Sequence, residues 1–476
     1  MGSLKKIIHL NTIGWILYLV ITIICFLFFL QADIIHTATS SYAYLNGHIQ
    51  DFYDYNKVYM GGNDYLPLMY IIFAIWNIPI HFLGFTTTPE LNHFQWNLLT
   101  QPSLPIELAW WKTLLAVFYI GSIMMMAKIT KLIQTDTKFE LSLISTVFAT
   151  SPFVIFAVFI FSGYDIFSTF FTLLGFYYYL KKDLRLFILF FAVAISLKYF
   201  AAILFFPLVL MIEKRPLHIL KILILSVSII LIQVILYWKS QIFKDEILSL
   251  LLQKLIPNSG NEINFSKLTP KLFLLMFYLS ACIHVFFKEF KSNTERHKYA
   301  VFIPILSYAL LFLAVKWHPQ WCIIIMPFIM LSYIFIQNKR LLSTLEIIGM
   351  ISFIWYVFNA WKLNVDVSMM NNSVLKNLLP QALIINSDLF HGGKSLFRFI
   401  FNLYLFSPLL LVFYEAKKTS QIKATILSQK MIINRLLIGI GFLVISSFVC
   451  IFMPENLGKF INPNATIRLH DKLIGN

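Results

Sequence analysis

A few short stretches hold polar residues where an apolar chain offers them no ordinary place. Lys316, His318 and Gln320 lie in LAVKWHPQWCIIIMPF, between two long apolar runs, where a plain turn would serve. Lys198 lies inside the run AISLKYFAAILFFPL. A cation in the middle of such a run costs a few kcal/mol and is a functional candidate by default; the alternative is a lysine snorkelling at an ordinary helix end. Asp33 stands three residues beyond the first apolar run. A carboxylate held there, on a rigid helix end and partly desolvated, suits a general base; the alternative is an acidic residue that marks a helix exit. Asp51 and Asp54 in QDFYDYN are flanked by aromatics, a pairing that holds sugar rings and hydroxyls; an aromatic belt at a membrane interface explains the tyrosines equally well.

The elements that must position these residues are membrane helices. Of the 476 residues, 59% are hydrophobic and only 13% charged, and the mean hydropathy of +0.77 is far above that of a soluble domain. The net charge of +16 could suggest nucleic acid, but the basic residues form short clusters between apolar runs, not one continuous face. They read as topology signals. Cys25, Cys282, Cys322 and Cys450 lie in or beside apolar stretches without CxxC or ligand spacing, so neither a disulfide nor a structural zinc is expected. No GxxxxGK[ST], HExxH or GxSxG is present, so nucleotide and hydrolase readings lack their parts. His36, His48 and Asp51 could be drawn as a metal site, but their spacing is nonspecific. Asn464, Ala465 and Thr466 form a formal glycosylation sequon.

Apolar runs long enough to cross a ~30 Å layer begin near Asn11, Trp110, Phe139, Tyr164, Leu186, Leu217, Lys271, Tyr299, Trp321, Leu341, Ser395 and Met431. Short cytoplasmic loops carry the excess of lysine and arginine. With the N-terminus inside, Lys128, Lys131 and Lys138 fall inside, as do Lys181, Lys182 and Arg185. The run from Leu186 to Ile212 then decides the rest: it is about 40 Å long at 1.5 Å per residue, long for one crossing and short for two. Read as one crossing it puts every later basic cluster outside; read as a broken pair hinged near residues 196–200 it returns them all to the cytoplasm. The external parts are then 31–109, 161–165, the Lys198 hinge, 239–270, 316–320 and 361–394. NDYLPLMYIIFAIWNIPI, short and bounded by Pro67 and Pro79, reads as a helix in the outer interface. Trp317 and Trp321 are expected to anchor their turn there.

In order and sidedness these features resemble the GT-C superfamily of integral membrane glycosyltransferases. They are an aspartate just beyond the first span, a long first external loop, DYLPL before an interfacial helix, and GYD between the third and fourth spans. SLKYF in a broken helix and KWHPQW before an apolar run ending in proline complete the set. The nearest likeness is to the bacterial branch that uses polyprenyl phosphate sugars and is related to mannosyltransferases. A weaker one is to the eukaryotic dolichol-linked enzymes, where DYPPL-like and HE-K-like segments take the corresponding places. The likeness covers the chain to about Pro327.

The resemblance implies an all-α polytopic membrane protein of about 11–13 transmembrane helices, with interfacial helices in the first extracytoplasmic loop (31–109), core spans at 110–340 and variable spans at 341–476. It implies a hexosyltransferase of a bacterial cytoplasmic membrane, active on the extracytoplasmic face. The donor would be a polyprenyl phosphate sugar and the acceptor a glycan, lipid or protein, with inversion at the anomeric carbon and no cofactor. Asp33 matches the catalytic base. Lys198, Lys316 and His318 are the candidates for the donor phosphate; Asp51, Asp54, Asp64, Tyr65, Tyr164, Asp165 and Gln320 for sugar or acceptor. DFYD departs from the tight D-x-D or E-x-D pair of some relatives, which leaves the roles of Asp51 and Asp54, and any metal dependence, open. A lipid-linked glycan flippase is the alternative; it would line a midplane path and often shows inverted repeats.

Overall fold

The structure is a computed structural model that describes residues 12–31, 33–85, 104–133, 138–249, 265–360, 374, 393–417 and 427–452. The sequon at 464–466 and most of the 361–394 loop lie outside the described residues. Within them the regular elements are all helices. Their ends follow the local sequence: Pro67, Pro152 and Pro216 each open a helix, where a missing N–H costs nothing. The side chains of Asp183 and Ser292 accept from the third residue on, Leu186 and Glu295, at 3.1 Å each.

Several helices are apolar on the outside as well as the inside. Ile13, Ile16, Leu19 and Ile23 on Thr12–Phe28 are half or more exposed, as are Phe273, Met276 and Ile283 on Phe265–Phe287. A surface this apolar belongs in lipid. Among the described residues four helices are long and apolar enough to span a membrane, 105–133, 293–314, 339–360 and 394–416, and the number rises to seven if three bent pairs each count as one span. The expected 11–13 spans also counted shorter apolar helices, such as 184–197, 201–212, 271–287 and 319–332. Several apolar runs that read as continuous are cut into pieces, at Thr150 and Ser151 before Pro152, at Val227, and at Lys198–Phe200.

The broken pair is present. Leu184–Leu197 and Ala201–Ile212 are separate helices, about 21 and 18 Å long. Lys182, Leu184, Met211, Ile212, Glu213 and Arg296 line one cavity of 300 Å³, so the pair leaves from and returns to the same end of the bundle. Lys214 Nζ reinforces that end by donating to Leu210 O at 2.7 Å and Val285 O at 3.1 Å, the last carbonyls of two helices. The basic loops at 181–185, 213–215 and 288–298 therefore share one end, and Lys198 lies at the other.

The C-terminal helices are part of the same core. Lys339–Ala360 packs along Lys394–Lys417, and Gln429–Phe452 packs on the first helix. Arg435 and Glu346, both fully buried, meet at 2.8 Å. Arg435 also donates to Val147 O and Thr150 Oγ1 at 2.6 Å, and Ser151 Oγ donates to Glu346 at 2.8 Å.

Candidate functional site

Asp33 is positioned by a break in the chain. The first helix ends at Phe28, and Asp33 opens the next, Asp33–Ser40. It was expected on the end of the first helix; it stands instead in the first turn of the second, where unsatisfied N–H groups favour an acidic side chain. Gln31 fixes it from both sides: its Nε2 donates to Asp33 Oδ1 at 2.9 Å and its Oε1 accepts from Asp33 N at 2.6 Å. Behind the break sits Lys112, wholly buried, whose Nζ donates to Cys25 O (3.2 Å), Phe29 O (2.5 Å) and Phe159 O (2.9 Å).

Lys198 lies in the gap between the two half-helices with an extended backbone, φ −151° and ψ 110°. Its Nζ is 2.7 Å from Asp165 Oδ1, and lies 4.9 Å from the ring of Tyr65 and 5.9 Å from that of Trp321. Asp165 was expected to hold sugar or acceptor; its first partner is Lys198. Opposite charges this close offset part of each other's cost of leaving water, so the burial of each is supported by the other.

The FSGYD turn is shaped to meet the HPQW turn. A five-residue π-helix, Phe156–Ile160, leads into Ser162, which holds φ 55°. Gly163 follows, and a Cβ there would stand 2.6 Å from Gln320 Cβ and 2.9 Å from Ala157 O. Only glycine allows that approach. Tyr164 then accepts from Thr37 Oγ1 at 3.0 Å, on the helix that starts at Asp33, and packs edge-on against Tyr65 at 5.3 Å. Gln233 ties in the DYLPL segment: its Oε1 accepts from Leu68 N at 2.7 Å while its Nε2 donates to Ser196 beside the hinge.

Two adjoining cavities result. One, of 550 Å³, is lined by Asp33, His36, Asn63, Asp64, Tyr65, Tyr164, Asp245 and Glu246 among others. The second, of 340 Å³, is lined by Asp33, Asp64, Tyr65, Lys198, His318, Gln320 and Trp321, with Leu66, Ile195, Ile230 and Ile247 as an apolar wall. Both volumes lie in the range of small-ligand sites. Asp33, Asp64 and Tyr65 belong to both, so the carboxylate stands at the junction.

Of the residues singled out in the sequence, Asp33, Asp64, Tyr65, Tyr164, Lys198, His318 and Gln320 line these cavities, and Asp165 backs Lys198. Three do not join them. Lys316 is exposed and lines neither cavity; Asp54 is exposed; Asp51 pairs at the surface with His48 at 2.9 Å. Trp317 is fully buried against Phe353, Tyr356 and Phe401, so it packs the core in place of anchoring an interface. Asn63, Asp245, Glu246 and Lys112 were missed; for the two acids the one signal was their place in a segment read as external. Among the described residues no group of three or more His, Cys, Asp or Glu is arranged to hold a metal. Neither a protein-family model nor a curated protein sequence matches the chain.

Proposed function

We propose that the chain is a glycosyltransferase that moves a hexose from a polyprenyl phosphate to an acceptor hydroxyl on the extracytoplasmic side of a bacterial membrane. The observation that carries this reading is Asp33 at the junction of an acidic, polar cavity and a cavity with a cation, an imidazole and an apolar wall. The acceptor enters the first and the phosphate sugar the second. Asp33 removes the acceptor hydroxyl proton as the oxygen attacks the anomeric carbon from the face opposite the phosphate. The carbon–oxygen bond to the phosphate breaks, the configuration inverts, and the bond electrons leave with polyprenyl phosphate. Lys198, freed in part from Asp165, and His318 meet the charge that develops there. Tyr65 and Gln320 hold the sugar between them.

The competing reading, a flippase for lipid-linked glycans, needs polar groups along a path through the bundle. The charged pair away from the site, Glu346 with Arg435, already has Val147, Thr150 and Ser151 as partners, which favours a role in packing. Purified protein offered a panel of polyprenyl phosphate sugars separates the two. Asp33→Asn should lower transfer by about 10²–10⁴-fold and leave donor binding intact. Near-normal transfer in that variant would sink the assignment, and lipid movement in vesicles without any sugar transfer would replace it with the flippase.

A further inference from the structure

The larger cavity carries more carboxylate than a general base requires. Asp64, Asp245 and Glu246 stand around the same space as Asp33, and among the described residues no lysine or arginine lines it. Lys57 binds Glu246 at 2.6 Å from outside the lining, and Gln241 donates to Asp245 at 2.8 Å. The seating of Glu246 is specific: Gly62, at φ +124°, passes so close that a Cβ there would lie 2.7 Å from its carboxylate oxygen. A second feature points to a ligand. Asn63, in the cavity wall and only 4% exposed, has no hydrogen-bond partner for either its amide nitrogen or its amide oxygen. Buried amides are normally satisfied, and a ligand bearing hydroxyls would supply both a donor and an acceptor.

We propose that this cavity takes an acceptor with a positive charge, an amino sugar whose ammonium group sits among Asp64, Asp245 and Glu246 while a ring hydroxyl engages Asn63. An N-acetylated sugar gives up that attraction, and a uronic acid or phosphorylated sugar meets like charge. The word acceptor rests on the transferase reading; the binding itself needs no donor. General attraction of cations is weak in this protein, whose net charge is +16, so binding of an amine reports the local carboxylates.

The test is calorimetric titration of the full-length protein in detergent, without donor, using three trisaccharides: of glucosamine, of N-acetylglucosamine and of galacturonic acid. The glucosamine trisaccharide should bind saturably and about tenfold or more tightly than the acetylated one, with the uronic acid weakest. Asp245→Asn, at an exposed position, and Glu246→Gln should each weaken it about tenfold, while Lys57→Met should not weaken it. Equal affinity for amine and acetamide, or a preference for the uronic acid, overturns the proposal. So does equal weakening by Lys57→Met and Glu246→Gln, which would make Glu246 a mere strut. Binding that requires Mn²⁺ and is lost on chelation would assign the carboxylates to a metal and overturn it too. Amine-selective binding with no sugar transfer from any donor would retain this inference and lose the transferase; transfer without amine selectivity would do the reverse.

Discussion

Among the described residues two buried ion pairs join helices of this bundle, and they differ in what surrounds them. Arg435 and Glu346 are enclosed by Val147, Thr150, Ser151 and Tyr333, with Arg435 Nε the one atom of the pair left without a partner. Lys198 and Asp165 have fewer polar neighbours. The lysine faces two aromatic rings and a cavity, the second oxygen of Asp165 has no donor, and neither does nearby Gln320 Oε1. A closed pair fixes which helices pack together, and its charges have little left to offer. An open pair keeps bonding capacity in reserve, and only such a pair has use for a charged ligand.

Substitutions can break that contrast. Arg435→Ala should have the largest effect, leaving Glu346 buried and unpaired at a cost of about 3–5 kcal/mol; thermal unfolding in detergent reads the loss, and the protein that remains folded should bind donor normally. Lys198→Met leaves Asp165 buried without a donor and should destabilise as well, but unlike Arg435→Ala it should also lower transfer about 10²-fold or more in the protein that remains folded. If Arg435→Ala lowers donor binding and transfer as much as Lys198→Met does in folded protein, the two pairs are one kind of feature and the contrast falls. Gly163→Ala comes next. It drives a methyl group into Gln320 and should cut transfer about tenfold, the scale on which misplaced groups act, while ordinary alanine at an open turn would not. Lys316→Ala should be smallest, within about ±0.5 kcal/mol for an exposed side chain, and should leave donor binding unchanged. A loss equal to that of Lys198→Met would bring Lys316 back into the site.

Much of the site could be read along the chain because the signals were local. A lysine inside an apolar run, a glycine beside an aspartate and a doubled aromatic around HPQ are each visible within a few residues, and the charge count placed the hinge at residues 196–200, where the helix is broken. What could not be read was pairing across helices. Asp165 and Lys198 are far apart in sequence, and GYD by itself has no mark that says which residue its carboxylate faces. Arg435 and Glu346 are farther apart still, and both lie in spans that read as featureless. Trp317 and Trp321 show the same limit from the other side. Four residues apart in one turn, they differ in surroundings entirely, because one falls under helices 339–360 and 394–417 and the other faces Phe200 and the cavity.

Lys112 has a mechanical consequence. By gripping Cys25 and Phe29 on one strand of the path and Phe159 on another, it couples the segment leading to Asp33 with the segment leading to Asp165. Asp33 and the Asp165–Lys198 pair are therefore tied to a common support. The bent pair Pro216–Ser226 and Ser228–Leu236, which brings Ile230 to the second cavity, is fastened beside them through Gln233 with its bonds to Leu68 and Ser196.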